Sequence, residues 1–143
     1  TVTVKGATRA MIQSGWLMAA ACALWAWAGS LPMGIVIVVL VSAAVVHTLA
    51  EILSSAAGWS LSYELASPQN IGSYQGVFGT GYALAAMVAP VVVTLTAVNM
   101  GVLGWAILGV GFLACALGAA AVARRPVKSV PLALAGDVVH NRG

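Results

Sequence analysis

Apolar residues run along the chain in four long blocks, each closed by a short break carrying proline, glycine or polar residues. The first, about residues 8–29, reads "TRAMIQSGWLMAAACALWAWAG" and stops at "SLPMG", where Pro32 stands between Gly29 and Gly34. The second covers about 33–64, largely apolar to about Gly58 and more polar through "WSLSYELA" before Pro68. The third runs over about 72–98 and the fourth over about 102–123, ending at "RRP". Each reaches or exceeds the roughly 20 residues an α-helix needs to cross a hydrocarbon layer about 30 Å thick. Lipid offers no partner for backbone N–H and C=O groups, so a crossing segment must satisfy its own, as a helix does. The pattern predicts an all-α, polytopic membrane protein with four transmembrane helices inside residues 1–125. Residues 126–143, with one short apolar stretch "VPLALAG", are too brief to span and are expected to form a disordered cytoplasmic tail.

Composition changes the picture by naming the solvent. Of 143 residues 62% are hydrophobic and only 6% charged, and the mean hydropathy is +1.03. A water-soluble domain carries about 25% charged residues, so the surface of this chain is built to face lipid. The net charge of +3 sits near the chain ends and forms no nucleic-acid patch. Lys5 and Arg9 precede the first span, while Arg124, Arg125 and Lys128 follow the last. Four crossings bring both basic clusters to one side, which the positive-inside rule makes the cytoplasm. The expected location is the cell's inner (plasma) membrane, with both termini cytoplasmic. Trp25 and Trp27 then fall at the outer boundary, and Trp59, Tyr63 and Tyr74 near the inner one, where aromatic belts form. Cys22 and Cys115 lie inside apolar runs without metal-like or disulfide spacing and are read as structural. The opening "TVTVKGATR" has no initiator methionine and no signal-peptide pattern, and is read as a later part of something longer.

Chemistry concentrates in "HTLAEIL", residues 47–53. His47 and Glu51 are four residues apart and share one helix face, with Ser54, Ser55 and Gly58 close to the same stripe. At 1.5 Å per residue Glu51 lies about 27 Å along the helix from Met33, in the inner half of the membrane. A charge near the bilayer centre costs about 2.5–3.5 kcal/mol on insertion scales, so Glu51 should face protein or water. A proton-coupling or substrate-coupling role for Glu51, with His47 as accessory, stands beside a purely structural reading in which the pair bonds across to a neighbouring helix. Glu64, just before Pro68, reads as a surface charge or helix-end partner.

The third block, "GSYQGVFGTGYALAAMVAP", carries Gly72, Gly76, Gly79 and Gly81. Such glycines allow close helix approach, and Pro90 removes an amide and can kink the helix. "GTGYAL" lacks the preceding strand and following lysine of a phosphate loop. There is no Ser/His/Asp set, metal-ligand cluster or cofactor motif, so the sequence points away from an enzyme, with no cofactor and no metal expected. Binding or transport remains.

The stretch "YELASPQNIGSYQGVFGTGYALAAMVAPVVV", residues 63–93, resembles the C-terminal half of the major facilitator superfamily, particularly its bacterial drug/proton antiporter-like members. The order that carries the resemblance is Glu51, then Glu64-Leu65-Ala66 with Pro68, then Gly72 and Tyr74-Gln75-Gly76, and finally Arg124-Arg125. The loop "SPQNIGS" lacks the arginine many members have before "YQG", and the "GP-GG" antiporter motif of the fifth helix is absent. The resemblance implies helices nine to twelve of twelve, a partial C-terminal half. It implies proton-coupled efflux of a small organic molecule by the parent transporter, with the lipid bilayer, the remaining helices, the substrate and protons as partners. Helices three to six of the N-terminal half are the pseudo-symmetric alternative. Alone, such a fragment is not expected to transport. Two other readings stand: a self-contained four-helix dimeric transporter like the small multidrug resistance family, whose key glutamate lies in the first helix, and a non-transporting membrane scaffold.

Overall fold

The computed structural model describes residues 4–124; Arg125 and the expected tail at 126–143 lie outside them. Among the described residues all regular structure is helical. Helix α1 covers Val4–Ala28, α2 Met33–Glu64, α3 Ile71–Val93 and α4 Val102–Ala123, with a π-helical turn at Thr94–Val98 between α3 and α4. All four are long and apolar enough to cross a membrane, α3 together with its π-turn.

The boundaries follow from local chemistry. Helix α1 begins about a turn before the apolar block does, because Val4 and Ala7 pack against Leu61, Leu65 and Ala123. Pro32 sits in an extended conformation ahead of α2, and its carbonyl accepts from the amides of Ile35 and Val36 at 3.0 and 3.1 Å. Helix α2 closes with the amide of Leu65 on the carbonyl of Leu61; Pro68 disfavours helical geometry just before itself. At 32 residues, α2 is about 48 Å long, so one end must project beyond the hydrocarbon layer. That end carries Ser60, Ser62, Tyr63 and Glu64.

Helix α1 is the centre of the packing, with α2 on one side and α4 on the other. Apart from Met18, its buried residues fall in two parallel rows one position apart: Ala7, Ser14, Ala21 and Ala28, and Thr8, Gly15 and Cys22. Both rows repeat every seven residues, the period that keeps a seam facing one partner. Helix α2 buries Ala43, Ala50 and Ala57 at the same period, and α4 buries Gly109, Ala116 and Ala123. A Cβ added to Gly15 would lie 2.5 Å from the Ala116 Cβ, and one on Gly109 would lie 3.4 Å from the Cys22 Cβ. Small side chains let the backbones approach, and in lipid that close packing replaces the hydrophobic effect as the source of association. The hydroxyls in the rows stay satisfied within α1: Thr8 donates to the Val4 carbonyl at 2.6 Å and Ser14 to the Met11 carbonyl at 2.7 Å.

Helix α3 is different: none of its residues is buried. It is held near its ends. At one end Phe78 meets Trp59 edge to face, with ring centroids 5.2 Å apart. At the other, the π-turn presses its Thr96 carbonyl onto Gly104 so closely that a Cβ there would overlap it. Pro90 lies inside the α-helical stretch, and the departure from α geometry comes four residues later, at Thr94. There Thr94 and Thr96 bond back to the carbonyls of Pro90 and Val92 at 2.8 and 2.6 Å. Gly101, at φ +57° and ψ −131°, turns the chain into α4 in a conformation that a side chain would strain.

Candidate functional site

The antiparallel pairing of α2 and α3 sets the neighbourhood of the candidate residues. Ser62 stands opposite Gln75, Trp59 opposite Phe78, and Ser55 near Tyr82. Gln75 donates through Nε2 to the Ser62 hydroxyl at 3.1 Å, while Ser62 donates to the Trp59 carbonyl at 2.7 Å. This closed chain of hydrogen bonds fixes the register of the two helices, and the six-residue connection between them leaves little freedom to slide.

Two turns further along α2 lies Glu51. Its Oε1 is 4.0 Å from the His47 Nε2, at the limit of an ion pair, with the side chains 64% and 41% exposed. The seam face of α2, Ala43, Ala50 and Ala57, turns toward α1, which leaves Glu51 one position beyond the buried row. Its side chain borders an open hollow of about 590 Å³ bounded by Met18 of α1, Ile52, Ser54 and Ser55 of α2, and Tyr82 of α3. Three hydroxyl-bearing residues and a carboxylate thus edge one concavity in an otherwise apolar bundle. Chemically the set can accept and return a proton, or hold a cation through a carboxylate with hydroxyls around it. His47 is not part of the hollow's wall; it flanks Glu51 from one turn away. Among the described residues no group of three metal-ligating side chains comes together.

A second hollow, about 490 Å³, continues beneath α3 and shares Met18 and Ser54 with the first; Phe78, Ala85 and Phe112 add apolar walls. Helix α3 therefore bridges a gap. Gly72, Gly76 and Gly79, together with Gly81, have nothing within 4 Å of a Cβ position, so in this chain the third-helix glycines face open space. Glu64 is exposed at the end of α2. The two cysteines are free: Cys22 buried in the α1–α4 seam and Cys115 exposed.

Two participants are not evident from local motifs. Tyr82 reaches the Glu51 hollow only through the pairing of α2 with α3, though the short connection and the Tyr-Gln-Gly segment hold the signal, since antiparallel pairing about residues 65–70 brings 82 opposite 55. Gln75 belongs to the segment that carries the family resemblance, yet its bond to Ser62 is a tertiary fact. No family model matches the chain, nor does any curated protein or solved structure.

Proposed function

We propose that this four-helix chain is the C-terminal portion of a secondary active transporter of the major facilitator type, working as a proton-coupled exporter of a small organic molecule. In this reading Glu51 carries the proton: the carboxylate takes up H⁺ when its hollow opens to one side, becomes a neutral carboxyl, and releases H⁺ when the hollow opens to the other. The single observation that supports it most is the position of Glu51, well inside a membrane-spanning helix yet 64% exposed and bordering an open hollow. A carboxylate there is costly against lipid, so the face that bears it suits further helices or water. Helix α3, without a buried side chain, adds a second face suited to the same covering helices. The succession Glu64-Leu65-Ala66, Pro68 and Tyr74-Gln75-Gly76 supplies the family resemblance.

The test is Glu51→Gln in the transporter that carries these helices. Loss of pH-dependent efflux with normal membrane insertion is the expected result, and His47→Ala should retain most of it. Unaltered pH-dependent efflux in Glu51→Gln removes Glu51 from coupling. A variant that loses stability or assembly while flux per inserted molecule is unchanged assigns the pair to scaffolding instead.

A further inference from the structure

Three of the chain's cations converge where α1 begins and α4 ends. Lys5, Arg9 and Arg124, with Val4, Thr8 and Ala123, line a hollow of about 550 Å³. Among the described residues none of the three has an acidic partner; the only pair within ion-pair distance is His47–Glu51. The Thr8 hydroxyl is already committed to the Val4 carbonyl. Lys5 lies in the first turn of α1 and Arg9 one turn on, near the positive end of that helix's dipole, where cations are locally unfavourable. Arg124 sits at the end of α4, the favourable end of its own helix, but it brings a third like charge to the same place. Keeping basic residues on one side of a membrane requires only that they lie near the span ends; it does not require them to gather around a hollow.

The geometry points to an anionic phospholipid, held with its headgroup phosphate among Lys5, Arg9 and Arg124 and its acyl chain along α1. An anion there relieves the mutual repulsion and the unfavourable dipole together. The lipid, rather than free phosphate, follows from what adjoins the cations. Lys5, Arg9, Ile12, Trp16, Ala19, Ala23 and Ala26 are spaced by alternating fours and threes and so share one face of α1. Trp16 on that face is 60% exposed. Farther along the same α1–α4 crevice, Ala19, Ala23 and Ala26 face Ala106 and Val110 across an apolar trough of about 720 Å³. The stripe is charged at the membrane boundary and apolar below it, as an amphiphile is. The site is independent of Glu51 and of the transport reading.

The full chain in a non-ionic detergent, offered equal amounts of dioleoyl phosphatidylglycerol and dioleoyl phosphatidylcholine, provides the test, with bound lipid counted by native mass spectrometry. One phosphatidylglycerol is expected to be retained preferentially, and millimolar inorganic phosphate should not displace it. Lys5→Gln with Arg9→Gln should weaken that retention about 30-fold, from the usual contribution of two basic residues near a membrane surface. Lys5→Arg with Arg9→Lys should keep it. Lys128→Gln with Arg142→Gln removes the same charge from the chain beyond the described residues and should change retention less than threefold. Equal retention of the two lipids, displacement by phosphate, or an equal loss in both charge-matched double variants overturns the site.

Discussion

Helices α1 and α3 are both rich in small residues, yet one is the most enclosed element of the bundle and the other has no buried side chain. The difference lies in period rather than content. On α1 the small residues recur every seven positions in two adjacent rows, and α2 and α4 answer with rows of the same period. The backbones can then approach along the whole helix length, and the dispersion gained per contact accumulates. On α3 the glycines at 72, 76, 79 and 81 meet no neighbour. The helix rests instead on a hydrogen-bonded and aromatic contact near one end and a backbone-to-glycine contact at the other. One region is a packed slab; the other is a strut across a gap, and the polar hollow beside Glu51 opens beneath it.

The contrast can be broken first at its strong side. Gly15→Leu places a branched side chain where a single Cβ already meets Ala116 at 2.5 Å, and overpacking of this kind costs about 1–3 kcal/mol, with the larger end expected here. Trp25 stacks on Trp105 across the same pair of helices, centroids 5.9 Å apart and planes 12° from parallel. Separation of α1 from α4 should therefore erase the near-ultraviolet circular dichroism of that tryptophan pair as well as lower the unfolding midpoint. A variant that keeps both signals would show that the two helices do not meet at Gly15.

A smaller effect is expected at the strut's anchor. Gln75→Ala removes the donor to Ser62, and side-chain hydrogen bonds between membrane helices average about 0.6 kcal/mol. The loss should appear as faster quenching of Trp59 fluorescence by a lipid-borne quencher, with little change in the global unfolding midpoint. An effect as large as that of Gly15→Leu would mean that α3 is integral to the slab. The smallest effect belongs to Gly76→Ala. A Cβ there enters open space, and alanine favours a helix interior over glycine by about 0.5–1 kcal/mol. The isolated chain should be unchanged or slightly more stable in an unfolding titration. A destabilised variant would reveal that a helix covers this face even in the isolated chain.

Much of the site was within reach of sequence reasoning, and the remainder had a physical cause for being hidden. Glu51 stands out because a carboxylate in an apolar run is expensive, and Ser54 and Ser55 follow from helical spacing alone. Tyr82 and Gln75 needed the pairing of two helices, which is a property of the connection between them and not of either segment. The expected irregularity at Pro90 illustrates the same limit: proline removes an amide at its own position, but the π-turn appears at Thr94, where the threonine hydroxyls offer the backbone alternative partners.

By itself the sequence determined that the chain is four membrane-spanning helices, because hydropathy and length leave lipid as the only fitting solvent and helices as the form that satisfies the backbone there. It also placed one carboxylate within the second span. The tertiary structure alone decided which small residues are seams and which are open, and that α1 rather than a glycine-rich α3 is the centre. It decided too that a tyrosine from the third helix and a methionine from the first stand around that carboxylate. Those outcomes depend on which helix faces which. In lipid, where every helix surface is about equally apolar, that choice rests on close packing and a few hydrogen bonds between segments far apart in the chain.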